Sequence, residues 1–119
     1  MSRHALIVED DAGLRKIYER VLLGMDYSVS EASDGETALA LLEHETPNLL
    51  FLDIQLPGTN GETVLEFIQQ SEHLRHMFVV IVSSNKHYAR YVELLPAAAF
   101  VLKPILPHQI RQYATQIIA

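Results

Sequence analysis

The sequence predicts an α/β fold, a doubly wound five-stranded parallel sheet flanked by about five helices, and three observations carry that expectation. Short apolar runs, Ala5 to Val8, Leu49 to Leu52, Phe78 to Val82 and Phe100 to Leu102, are separated by longer stretches of helical periodicity. The runs are continuously apolar rather than alternating, which implies burial on both faces and therefore helices on each side of the sheet. Finally, 119 residues, 49% of them hydrophobic, suffice for one compact core and are too few to favour two, so residues 1–119 are expected to form a single domain.

The elements follow in order. After the first strand, Leu14, Ile17, Tyr18, Val21 and Leu22 recur at helical spacing and predict a helix from about Ala12 to Leu23, with Asp11 as its N-cap and Gly24 as its stop. The weaker segment Ser28 to Ala32 supplies a strand. Asp34 and Gly35 introduce a helix bearing Ala38, Leu39, Leu41 and Leu42, which Pro47 closes before the third strand. After Asp53, the loop Ile54 to Asn60 with Pro57 and Gly58 leads through Gly61 to a helix with Val64, Leu65 and Ile68. Lys86 to Leu95 carries Tyr88, Tyr91, Val92 and Leu95 at helical spacing and ends at Pro96, so a short helix is expected. Pro104 and Pro107 separate the last strand from a final helix in which Ile110, Tyr113, Ile117 and Ile118 can face the core.

Composition narrows the functions. A formal net charge of −6 favours cations and basic partner surfaces and disfavours direct binding to nucleic acid. With no cysteine, disulfides, thiolate metal sites and cysteine nucleophiles are excluded, and a reducing compartment, the cytoplasm, is the expected location. Residues Met1 to Asp11 lack the apolar stretch and cleavage site of a signal peptide, and no apolar run approaches the roughly 20 residues needed to span a bilayer, so a soluble protein with no membrane partner is expected.

In an open parallel sheet, ligands bind beyond the carboxyl ends of the strands. Here the first strand ends in Glu9, Asp10 and Asp11, the third in Asp53, the fourth in Ser83, Ser84 and Asn85, and the fifth in Lys103. Carboxylates brought within a few ångströms repel by about 1 kcal/mol per pair in water and roughly 4 kcal/mol at intermediate dielectric, which a hard divalent cation offsets. Mg2+, or Mn2+ in its place, fits such oxygen ligands, and Lys103 adds a second positive charge.

The segments LIVEDD, LLFLDIQLPG, VVIVSS and FVLKP, in that order, resemble the motifs of bacterial response-regulator receiver domains over nearly the whole chain. The resemblance implies flavodoxin-like topology and a phosphoacceptor domain of two-component signalling, which catalyses only its own phosphorylation and dephosphorylation. It implies that Asp53 accepts the phosphoryl group and that Glu9 and Asp10 form the acidic pair, Asp10 binding metal directly and Glu9 through water. The backbone carbonyl of Gln55 is the remaining protein ligand. Ser83 becomes the switch hydroxyl and Lys103 the phosphate-binding lysine, aimed by a cis Lys103–Pro104 bond, while Gln55 and Asn85 tune the lifetime of the phosphorylated state. Phe100 is either the aromatic rotamer switch of the family or plain core. The implied donor is a sensor histidine kinase or a histidine phosphotransfer protein, and the output partner is open.

Several residues have plainer readings. An isolated aspartate after a strand serves as a turn former or cap, and an isolated serine satisfies strand-end backbone groups; the four coincident strand ends are what favour the site. His73 and His76 have metal-like spacing without a third ligand and are expected to be exposed. The alternatives to a working receiver are a degenerate one that acts as a phosphorylation-independent interaction module, a flavodoxin-like cofactor binder, and a haloacid-dehalogenase-like phosphatase. The acids after the first strand disfavour a bare phosphate ligand, and EDDAG lacks the D-x-D spacing of the phosphatases. The interval from Ser83 to Lys103 is shorter than in typical members, so the fourth helix is expected to be short or irregular. Tyr88, Tyr91 and the run Ala97 to Ala99 are expected to form a weakly charged surface for a partner rather than for a salt-bridged dimer.

Overall fold

The computed structural model describes residues 3–56 and 58–118. Pro57, expected in the loop after the third strand, and the side chain of Ile118, expected to face the core, lie outside the described residues. Five parallel strands, β1 (Arg3–Val8), β2 (Tyr27–Ala32), β3 (Leu49–Asp53), β4 (Phe78–Ser83) and β5 (Ala98–Leu102), form one sheet in the order β2-β1-β3-β4-β5. The strand order reverses direction at β1 and β3, so their carboxyl ends open onto a crevice with connections leaving to opposite sides.

The strand period of two divides the core between the two faces of the sheet. Leu6, Val8, Leu50, Leu52, Val79 and Ile81 face α2 (Gly35–His44) and α3 (Gly61–Gln69), where Ala38, Leu42, Val64, Leu65 and Ile68 are buried. Ala5, Ile7, Leu49, Phe51, Val80 and Val82 face α1 (Ala12–Leu23) and α4 (Pro107–Ile118), meeting Tyr18, Leu22, Ile110 and Ala114. Burial on both faces explains the unbroken apolar runs. No helix among the described residues is long and apolar enough to cross a membrane.

The helix starts are chemically explicit. Asp11, Asp34 and Asn60 each accept a hydrogen bond from the backbone N–H three residues on, at Leu14, Thr37 and Thr63. Gly24 does end α1, but in right-handed conformation; the left-handed turn falls on Asp26, at φ 64°. A Cβ on Gly61 would come within 2.5 Å of the Ile54 Cα, so only glycine lets α3 begin this close to the end of β3.

The structure refines the expectations for the second half of the chain. The segment after β4 is a 3-10 helix, Lys86–Leu94, with no fully buried residue, in keeping with the expected irregularity but not with a helix of 3.6 residues per turn. The fifth strand begins at Ala98, not Phe100. Ala98 and Ala99 are therefore half-buried strand residues paired with β4, and Ala98 packs against the same core cluster as Tyr88 and Tyr91. On the tyrosine face, Arg90 lies over the Tyr91 ring and the Tyr91 hydroxyl donates to Glu62. His73 and His76 are exposed as expected, although His73 Nε2 also reaches the Leu42 carbonyl at 2.7 Å.

Candidate functional site

Parallel pairing in register delivers the ends of β1, β3 and β4 to one edge, and β5 adds Lys103 just beyond its last residue. Glu9 and Asp53 are each only 2% exposed, and Ser83 is fully buried; these three are the buried polar or charged residues of the molecule's described part. Burying charge is unfavourable unless it is paired, so the pairing is the informative quantity. The Lys103 ammonium lies 2.9 Å from Asp53 Oδ2 and 3.9 Å from Glu9 Oε1. The other Asp53 oxygen accepts from the Gln55 N–H at 3.0 Å. The Lys103–Pro104 bond is cis, and the Lys103 N–H donates to the Ser83 carbonyl.

Three carboxylates, Glu9, Asp10 and Asp53, offer oxygens that all lie within 4.8 Å of one another, against one ammonium. Burial, with smaller contributions from Asp10 and Asp53, pushes Glu9 up to about 7, despite the Asp11 N–H at 3.1 Å and Lys103. Burial on its own would lower the Lys103 ammonium, but the hydrogen bond and charge of Asp53, joined by Glu9 and Asp10, outweigh it and leave the group raised. An all-oxygen donor set with surplus negative charge fits a hard divalent cation such as Mg2+.

The remaining predicted residues group around this centre. Asp11 is the α1 cap and not part of the acidic cluster. Asn85 turns its side chain to the N–H of His87, capping the 3-10 helix, while its own N–H donates to Ser83 Oγ at 3.0 Å. Gln55 reaches from β3 to the end of β4, where its Oε1 accepts from Ser83 Oγ and from the hydroxyl and N–H of Ser84. Phe100 is half-buried on β5 and packs against the α2 and α3 side of the core. An open cleft of about 620 Å3, lined by Asp10, Ser33, Asp34, Glu36, Thr37 and Gly58, adjoins the acidic cluster. A separate cavity of about 320 Å3 lies between the end of α3 and Leu94–Pro96 and holds none of the acidic cluster, Ser83 or Lys103.

Sequence reasoning passed over Arg15. Its Nη1 donates to the Glu9 carbonyl at 2.7 Å and its Nε pairs with Glu31 at 3.2 Å, so one guanidinium ties the acidic loop to β2. Its only sequence signal is a position one helical turn into α1. Ser84 was likewise given no role of its own.

Residues 5–115 match the family described as the response regulator receiver domain. The chain belongs to that family. It is thus a signalling domain of two-component systems, with the acidic cluster expected of them. This receiver is 33% identical to the response regulator PleD of Caulobacter vibrioides over 107 residues, 88% of this chain and 24% of that protein. It is 30% identical to the sensor histidine kinase TmoS of Ectopseudomonas mendocina over 116 residues, 96% of this chain and 12% of that protein. The chain therefore spans a small part of these relatives. Among solved structures, the chemotaxis regulator CheY4 of Vibrio cholerae superposes with a TM-score of 0.87 at 17% identity, covering 98% of this chain and 99% of that one. The regulator TrrA of Thermotoga maritima, described in complex with Mg2+ and BeF, gives a TM-score of 0.81 at 20% identity, covering 97% and 98%. These likenesses establish the flavodoxin-like fold.

Proposed function

We propose that residues 1–119 act as one phosphoacceptor receiver in which Asp53 takes a phosphoryl group from a partner phosphohistidine, on a sensor kinase or a phosphotransfer protein, or from a small acyl phosphate. The observation that carries this reading is Asp53 itself, a carboxylate 2% exposed at the end of a central strand, held between an ammonium at 2.9 Å and two further acids. A structural aspartate would need no such surroundings.

Asp53 attacks phosphorus in line, the bond from phosphorus to the donor nitrogen breaks with its electron pair going to the imidazole, and an acyl phosphate results. Asp10 and Asp53 directly, Glu9 through water and the Gln55 carbonyl would hold Mg2+ or Mn2+, which when bound supplies positive charge beside the phosphoryl oxygens. Lys103 follows the charge from the carboxylate to a phosphoryl oxygen, and the Ser83 hydroxyl donates to another; the work is positioning and neutralisation. Water later cleaves the product, and the amides of Gln55 and Asn85 hold that water without acting as a strong base. Movement of Ser83 toward the new dianion, with Phe100 turning inward, biases the surface formed by the 3-10 helix and β5 toward its partner. Activation on this reading changes partner affinity rather than self-association, and the domain works in the cytoplasm.

TrrA, a regulator of the same fold described with Mg2+ and BeF, supports the reading. Intact-protein mass spectrometry after incubation with acetyl phosphate and Mg2+ tests it: the expected result is one added phosphoryl group, absent in Asp53→Ala. An unchanged wild-type mass with every donor tried would favour the phosphorylation-independent module.

A further inference from the structure

Ser83 carries one hydroxyl proton, and it is already committed. Its Oγ accepts from the Asn85 N–H at 3.0 Å and donates to Gln55 Oε1 at 3.3 Å, so the proton points to the amide and not to Asp53. What keeps the amide there is the next residue. The Ser84 hydroxyl donates to the same Gln55 oxygen at 2.9 Å, and the Ser84 backbone N–H approaches it at 3.4 Å. A backbone N–H can only donate, which fixes the atom it faces as the amide oxygen rather than the nitrogen.

We propose that Ser84 is a positioning residue: through the Gln55 side chain it latches the Ser83 hydroxyl away from Asp53 and so sets how readily the site takes a phosphoryl ligand. The inference rests on the phosphoacceptor reading. A hydroxyl cannot donate to two acceptors at full strength, so a phosphoryl oxygen on Asp53 must win the Ser83 proton from Gln55. The Ser84 hydroxyl contact is the shortest that Gln55 Oε1 makes with the β4 end, and it lies outside the set that would touch phosphoryl group or metal. Losing it frees the amide to swing away, whereas losing Ser83 would remove the donor altogether. Ser84 thus restrains the site without contributing to its chemistry. The latch also joins the β3–α3 loop to the end of β4, the two segments that must move relative to each other when Ser83 advances.

Two measurements decide the matter. In the metal-free protein, the side-chain amide resonances of Gln55 are expected to shift in Ser84→Ala and to return toward wild type in Ser84→Thr, which keeps the hydroxyl. In titrations of beryllofluoride with saturating Mg2+, Ser84→Ala is expected to bind about five-fold tighter than wild type, the factor that follows from removing one competing neutral hydrogen bond, with Ser84→Thr near wild type. Unmoved amide resonances overturn the latch whatever the ligand does. Equal or weaker beryllofluoride binding by Ser84→Ala, where wild type binds, overturns its role in the site. A wild type that binds no beryllofluoride, with amide resonances that do shift, sinks the phosphoacceptor reading and with it the role of the latch.

Discussion

The two ends of the sheet handle polarity in opposite ways. At the amino end, His4 on β1 places Nδ1 2.7 Å from Ser28 Oγ and Nε2 2.8 Å from both Ser30 Oγ and Glu45 Oε1. Ser30 donates to Glu45, and Asn48 exchanges hydrogen bonds with the His4 backbone in both directions. His4, Ser28, Ser30, Glu45 and Asn48 thus each have a partner of matching chemistry. At the carboxyl end, three carboxylates crowd one ammonium, and Glu9 is held well above the usual carboxylate range, chiefly by its burial. A network satisfied internally supports the fold; one left with surplus charge is poised for something outside the protein.

Substitutions that spare one end sharpen this contrast. The largest expected effect is Asp53→Ala: phosphoryl transfer is abolished, while thermal unfolding of the metal-free protein falls little, since the charge removed is one of the crowded set. A loss of stability as large as the loss of function would mean that the carboxyl end is structural too.

Next comes pH. The folded-state pKa of Glu9 is raised, to about 7, so its contribution to stability is fully present below its unfolded value near 4.5 and lost as pH rises through 7. Metal-free protein should therefore lose up to about 3 kcal/mol from this group between those limits, and Glu9→Gln should flatten that part of the profile. Urea unfolding in chelator across this range reads it out. Mg2+ added at pH 7 should restore stability to wild type.

His4→Ala, at the other end, is expected to cost about 1–2 kcal/mol of unfolding free energy, the scale for disrupting a part-buried network, with phosphorylation by acetyl phosphate unchanged. The smallest difference separates neighbours. Asp10→Asn should weaken Mg2+ binding about ten-fold, some 1.4 kcal/mol, whereas Asp11→Asn keeps an amide that still caps α1 and should alter it little. Calorimetric titration of both distinguishes ligand from cap, and the reverse order would shift the acidic pair by one residue.

Much of this was legible in sequence because it is local. The α1 limits, Ala12 to Leu23, follow from apolar spacing between an aspartate and a glycine, and Glu9, Asp10, Asp53, Ser83 and Lys103 stand out because they lie at or just beyond the ends of apolar strands, whereas Gln55, Asn85 and Phe100 took their roles from the family resemblance alone. What was not legible is either weakly encoded or long-range. Alanine has little strand preference, so Ala98 gave no sign that β5 had begun. Nine residues of helical spacing in Lys86–Leu94 do not separate a 3-10 from an α-helical period. The partners of His4 lie 24 to 44 residues away, and the contact of Gln55 with Ser84 bridges 29, distances at which no local pattern speaks.

The 3-10 helix Lys86–Leu94, with no side chain fully buried, has a consequence for how the molecule breathes. Its anchors are half-buried aromatics, Tyr88 stacked on Tyr91 with ring centroids 5.9 Å apart, and Leu94 lies half out of the protein. Opening such a segment exposes little apolar surface that is not already wet, so its amide protons should exchange with solvent long before those of β1, β3 or β4, in a sub-global opening that leaves both cores intact. The chain between the buried Ser83 and the edge strand β5 is thus expected to open more readily than the central strands, and a displacement of Ser83 by a fraction of an ångström enters the molecule next to a segment with no fully buried residue.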